Sequence, residues 1–188
     1  MVNQPKPEIA IFGGSFDPPH QGHQQIVQEA VKILDIDKLI VLPAYLNPFK
    51  DDSLASPAKR LEWCHQIFDT IPKVIVDDYE IRQNKSVRTS QSVKHFDKTC
   101  TVKYLLIGSD NLSTLTQWHE FEWLNNHIIW VIITRNGYPV ETKGLRSWRV
   151  MAFDFPTSST TIREGKELHY IDNKIKQSVQ ETIKDKEE

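Results

Sequence analysis

The chain has 188 residues, of which 39% are hydrophobic and 26% charged, with a net charge of −2 at neutral pH; this is the balance of one soluble globular domain with a core of its own. A near-neutral charge without a long basic block excludes sequence-independent nucleic-acid binding, so any anionic ligand must be gripped locally. No apolar run approaches the ~20 residues that span a bilayer, Met1–Pro7 lacks a signal-peptide core, and two cysteines, Cys64 and Cys100, are too few for a disulfide framework, so the expected location is cytoplasmic.

Ile9-Ala10-Ile11-Phe12 is predicted as the first strand. It runs through a glycine turn into a helix over Gln24–Leu34. A second strand, Leu39–Leu42, is closed by Pro43, and a helix over Pro57–Asp69 follows with Pro57 suited to its first turn. Val74–Val76 is a third strand. A helix near Ser90–Phe96, strands over Tyr104–Ile107 and Ile128–Ile133, and a tail helix near Asp172–Ile183 complete the pattern. Residues 1–7 and 184–188 are expected as loose ends of a single domain covering 1–188, with no repeat or linker. Short, almost uninterrupted apolar strands alternating with helices imply an α/β fold: a Rossmann-like, doubly wound, mainly parallel sheet of about five to six strands. Ligands of such sheets lie beyond the carboxyl ends of the strands. The unusual strings of this chain fall there, in Gly13–His20, Pro43–Lys50, Gly108–Asp110 and Thr134–Gly137.

Gly13-Gly14-Ser15-Phe16-Asp17-Pro18-Pro19-His20-Gln21-Gly22-His23 is the most informative stretch. Two glycines after a strand let the backbone approach a ligand closely. Two imidazoles then stand at the mouth of a helix, where unpaired N–H groups favour an anion. Gly22 keeps one side of the pair open, and together these features suit a polyphosphate. Neither the Walker string nor the dinucleotide glycine motif is present, and no cysteine or third histidine lies at metal-ligand spacing from the pair. Near the end, Thr157-Ser158-Ser159-Thr160-Thr161-Ile162-Arg163-Glu164 reads either as a helix start, with Thr161 and Glu164 at capping-box spacing, or as an anion cradle. Asp110 beyond the fourth strand suits ribose hydroxyls, and Trp118 offers a flat face to a heterocycle, whereas Trp123 and Trp130 are expected in the core. His65, His95, His127 and His169 belong to no motif.

The first string resembles the GGSFDPxHxGH motif of nucleotidyltransferases with a His-x-Gly-His element, which is fullest in nicotinate-nucleotide adenylyltransferases. Ser158–Arg163 is similar to that family's Ser-Ser-Thr-x-Ile-Arg string, and Gly108-Ser109-Asp110-Asn111-Leu112 with Trp118 to its Gly-x-Asp-x-Leu segment and later tryptophan. The resemblance covers Glu8 to Arg163. It implies adenylyl transfer from ATP to nicotinate mononucleotide in NAD biosynthesis. By that resemblance His20, His23, Lys50 and Arg163 carry the chemistry. Gly13, Gly14, Ser15, Phe16 and Gly22 line the ATP site, with Gly108 and Asp110 at its ribose and Ser158, Ser159 and Thr160 at its β and γ phosphates. Asp17, Asn47, Thr89, Ser90, Trp118, His119 and Arg135, together with Lys50, face the mononucleotide. Backbone N–H groups of Ser90 and His119 read the pyridine carboxylate, so the Ser90 side chain is expected to matter little. Mg²⁺ is implied as a cofactor held mainly by ATP phosphates, with no protein metal ligand.

Two segments depart from the family pattern. Asn47-Pro48-Phe49-Lys50 stands where the family has Pro-Pro-His-Lys, and Arg88–Val93 stands for Tyr-Thr-x-Asp-Thr-Leu with Gln91 in place of the aspartate. A nicotinamide-mononucleotide enzyme, a phosphopantetheine adenylyltransferase and a non-catalytic nucleotide-binding protein are the alternatives, and assembly into a homo-oligomer is left open.

Overall fold

A computed structural model describes residues 5–46, 53–153 and 155–187. Its centre is a six-stranded sheet of β1 (Glu8–Gly14), β2 (Lys38–Pro43), β3 (Val74–Val76), β4 (Thr101–Gly108), β5 (Ile129–Ile133) and β6 (Trp148–Met151), in the order β3-β2-β1-β4-β5-β6. All five pairings between these strands are parallel. Parallel strands must be joined by crossovers, and the crossover helices cover both faces.

The pleat divides each strand between two cores. Ala10 and Phe12 of β1 join Val41, Leu106 and Val131 on one face. There they meet α1 (Gln21–Ile33), α2 (Pro57–Phe68) and α7 (Asn173–Glu187) through Val27, Ala30, Trp63, Phe68, Ile175 and Val179. Ile9 and Ile11 point the other way, toward α4 (Thr89–Phe96) and α5 (Phe121–His127), with Val93, Phe96, Leu124 and Trp130. Two short helices, α3 (Tyr79–Arg82) and α6 (Ser159–Arg163), and a 3₁₀ stretch at Ser109–Gln117 sit at the rim.

The sequence places five strands correctly to within a few residues and does not reveal β6. Trp148, Arg149 and Val150 of that strand are exposed, so no continuous apolar run marks it. The charged tail is helical rather than loose. α7 continues through Lys184 to Glu187, anchored by Ile175, Val179 and Ile183 at four-residue spacing. At the other end the Pro7 carbonyl accepts from Thr101 N–H at 2.9 Å, which fastens the described part of the expected loose N-terminus. Among the described residues no helix is long and apolar enough to cross a membrane.

Candidate active site

Strand order reverses between β1 and β4, and the crevice beyond their carboxyl ends is where a doubly wound sheet holds its ligand. β1 ends at Gly14 and the chain turns sharply at Phe16, whose φ of 48° is the left-handed region. Phe16 is buried edge-on against Phe12 and Phe68. A Cβ on Gly14 would stand 3.2 Å from the Phe16 ring, so a small residue there lets the turn close.

His20 and His23 cap α1 reciprocally. The Gly22 N–H donates to His20 Nδ1 at 3.1 Å, and the His20 N–H donates to His23 Nδ1 at 3.2 Å. With both Nδ1 atoms accepting, each neutral ring must carry its proton on Nε2. Both rings are neutral: burial, and then the nearby Arg135 charge, lowers the His20 pKa to about 3. His23 is held well below its ordinary value by burial, then by His20 and Arg135. The His20 Nε2 is buried and has no partner among the described residues. A buried donor without an acceptor costs free energy, and a phosphate oxygen would relieve it. Gly22 is required by space: a Cβ there would come within 2.7 Å of the Phe155 ring and 2.9 Å of His20.

α6 docks against this turn. The Arg163 guanidinium donates to the Asp17 carbonyl at 2.8 Å and to Thr160 Oγ1 at 3.0 Å, and the Ser159 hydroxyl donates to the Pro18 carbonyl at 2.9 Å. The helix is capped by Ser158, whose Oγ accepts from Thr161 N–H at 3.2 Å. The capping-box spacing of Thr161 and Glu164 therefore marks no helix start.

On the β4 side, Asp110 Oδ1 lies against Gly108, so close that no Cβ would fit. Its Oδ2 accepts from Arg135 at 2.9 Å. Ser109 ties the two strand ends, accepting from Arg135 N–H at 3.0 Å and donating to the Tyr138 carbonyl at 3.3 Å. The residues assigned to the ATP ribose and to the mononucleotide are thus paired with each other.

Residues 11–165 match the family model described as cytidylyltransferase-like. A probable nicotinate-nucleotide adenylyltransferase of Sulfurovum sp. (strain NBC37-1) is 79% identical over 188 residues, the whole of both chains. The chain belongs to the nicotinate-nucleotide adenylyltransferase family. A probable member from Campylobacter jejuni (strain RM1221) is 45% identical over 152 residues, 79% of this chain and 84% of that one. The fold is that of Plasmodium falciparum nicotinic acid mononucleotide adenylyltransferase complexed with NaAD, with a TM-score of 0.73 at 22% identity and 95% of each chain covered.

The remaining family positions divide clearly. Asn47 and Lys50, with the altered Phe49, lie outside the described residues. Asp17 is assigned to the mononucleotide by resemblance, yet its carboxylate is buried and accepts from Leu54 N–H at 2.8 Å and Ala55 N–H at 3.0 Å. Its position is that of a loop anchor. Gln91 does the capping that the family's aspartate could do, its Oε1 accepting from Arg88 N–H at 3.1 Å. Thr89 and Ser90 open α4, and Ser90 Oγ meets His119 Nδ1 at 3.1 Å. The Ser90 hydroxyl thus has a side-chain partner of its own. Trp118 packs beside Trp130 on the core below it, and its buried Nε1 lacks an acceptor among the described residues. Trp130 is fully buried as expected, whereas Trp123 is only partly so and stacks on His127.

Arg60 is the residue that the motifs miss. It is 2% exposed and donates to the carbonyls of Ser15 at 2.5 Å, Tyr45 at 2.8 Å and Ala55 at 3.3 Å, joining the loops after β1 and β2. Its signal is positional: Arg60 falls on the same helical stripe as the buried Trp63, Cys64 and Ile67.

Proposed function

We propose that the chain works in the cytoplasm as one nucleotidyltransferase domain that joins ATP to nicotinate mononucleotide, releasing nicotinate adenine dinucleotide and pyrophosphate toward NAD. The mononucleotide's 5′-phosphate oxygen attacks the α-phosphorus, and the bond from that phosphorus to the bridging oxygen of the β-phosphate breaks. The nucleophile is already ionised at neutral pH, so no proton has to be removed. What the protein must supply is alignment and charge stabilisation.

The observation that carries this reading is the unpartnered His20 Nε2 at the switch point of the sheet. A neutral imidazole fixed through Nδ1 is a preorganised donor, and its acceptor arrives with the substrate. His20 and His23 donate to the reacting phosphates, Arg163 and the hydroxyls of Ser158–Thr160 hold the leaving pyrophosphate, and Lys50 adds charge. Asp110 takes the ATP ribose and Arg135 the mononucleotide phosphate, which requires their mutual ion pair to open or be shared. Trp118 stacks on the pyridine while the N–H groups of Ser90 and His119 read its carboxylate.

These residues suit an ion carried on the substrate. The site offers N–H, guanidinium and hydroxyl donors, while the Asp17 and Asp110 carboxylates are already hydrogen-bonded or paired. Mg²⁺ would be held by the ATP phosphates rather than by these side chains, and would supply charge neutralisation for the departing pyrophosphate.

Pyrophosphate release, measured with ATP plus nicotinate or nicotinamide mononucleotide in turn, tests the reading. The acid should react with the higher kcat/KM, by about ten to a hundredfold, because an amide leaves one buried N–H donor unpaired. Equal efficiency with both would overturn the acid assignment, and release with neither would overturn the activity.

A further inference from the structure

Acid reading, as set out above, depends on two N–H groups carried by different elements. Ser90 lies in the first turn of α4, where no helix carbonyl precedes it. His119 lies in the turn before α5. Neither N–H donates to a backbone carbonyl among the described residues. Something must hold these two turns at a fixed separation, or the pair of donors cannot converge on one carboxylate.

Glu120 stands between them. It occupies left-handed backbone, with φ 57° and ψ 36°, at the head of α5. A non-glycine residue adopts that conformation at a cost, so the surrounding contacts must impose it. Its carboxylate takes Lys94 Nζ of α4 at 2.5 Å and lies 3.4 Å from His119 Nδ1. Hydrogen bonds from Lys94, and then from Ser90, hold the Glu120 carboxyl below the ordinary carboxylate range. Ser90 is fully buried, and its Oγ also meets His119 Nδ1. An ionised carboxylate only accepts, so a Ser90 O–H that donates to Glu120 leaves its Oγ to accept from His119 Nδ1–H. Lys94 is itself steadied over the Trp123 ring, 4.8 Å from its centroid.

We propose that Glu120 is a positioning residue for substrate selection: by gathering Lys94, Ser90 and His119 it fixes the gap between the α4 and α5 turns, and with it the preference for the acid mononucleotide over the amide. The inference rests on the reading that the Ser90 and His119 N–H groups face the pyridine carboxylate. Glu120 itself touches no substrate. A gap that widens costs the acid both of its donors, whereas the amide never satisfies both, so the acid loses more.

The test is Glu120→Gly, which suits a positive φ and so keeps the turn while removing the carboxylate. Steady-state rates are measured with both mononucleotides and with ATP, alongside thermal melting. The acid-to-amide ratio of kcat/KM should fall about tenfold, through a higher KM for nicotinate mononucleotide, with kcat and the KM for ATP little changed. Glu120→Gln retains an accepting oxygen and should restore part of the ratio. Lys94→Met should lower the ratio in the same direction, and the double variant by less than the product of the singles, as members of one network do. An unchanged ratio in folded Glu120→Gly protein, or an equal loss for acid, amide and ATP, would overturn the inference. A wild-type enzyme that shows no acid preference would instead sink the reading beneath it, and that is seen before any variant is made.

Discussion

Glu80 makes a sharp prediction about stability. It lies on α3, 8% exposed, and accepts from the Ser92 hydroxyl of α4 at 2.7 Å. Burial pushes its carboxyl up to about 7 from the ordinary 4.5, outweighing the Ser92 bond, which pulls the other way. With its pKa raised in the folded state, Glu80 binds more proton in the native than in the unfolded chain between these two values. The contribution of Glu80 to stability therefore falls as pH rises from about 4.5 through about 7, and then levels off. At 1.36 kcal/mol per unit the full effect is about 3 kcal/mol, an upper figure for a group that water can still reach. Glu80→Gln keeps an acceptor for Ser92 and removes the titration. Urea unfolding of both proteins at pH 5 and pH 8 isolates the term, because other titrating groups cancel in the difference. The variant should be more stable by roughly 2–3 kcal/mol at pH 8 and by less than about 1 kcal/mol at pH 5. A difference that does not depend on pH, or a variant less stable at pH 8, would refute the reasoning.

Three further outcomes follow from the site. His23→Ala should lower kcat by about two orders of magnitude or more while weakening ATP binding far less, as loss of a preorganised donor does; unchanged turnover in folded protein would remove the pair from the mechanism. Arg163→Ala should raise the KM for ATP strongly and Arg163→Lys should restore it only in part, since a point charge cannot bond Asp17 and Thr160 together as the guanidinium fork does; normal ATP binding in both would reduce the segment to a helix cap. Arg60→Met should destabilise the fold by about 2–4 kcal/mol in urea unfolding, because three loop carbonyls lose their donor; a shift below about 0.5 kcal/mol, the usual range of surface changes, would mean that the loops hold without it.

What the sequence reveals, and what it hides, follows from burial. β1, β2, β4 and β5 are apolar almost throughout because both faces are covered, and such runs stand out in a bare sequence. β6 is at the edge with three of its four residues exposed, so nothing distinguishes it from a loop. The glycine turn, both histidines and the Ser158–Arg163 string stand out because residue types that a plain turn or helix start does not need fall together there at fixed spacing. Arg60, Glu80 and Glu120 do not, since each has at least one partner 12 to 45 positions away that only the fold brings near. The contact of the Ser90 side chain is hidden for the same reason: its partner, His119, is 29 residues distant.

The proposed function asks this site to receive an anion, and its neutral histidines suit that task. Two protonated imidazoles 3.8 Å apart beside Arg135 would repel each other and that guanidinium, and burial would add to the cost. The capping bonds to both Nδ1 atoms resolve this by fixing neutral rings that still present Nε2–H donors, so the crevice stays stable before substrate arrives. Arg135 leans on Asp110 and Arg163 on the Asp17 carbonyl, each cation provisionally partnered at the rim. On the proposed reading, entering phosphates would replace these partners and give the His20 Nε2 its acceptor, so that binding and charge stabilisation would draw on the same donors. This also explains why Gly22 cannot grow: a Cβ there would press on both His20 and Phe155, displacing the ring whose orientation the whole arrangement needs.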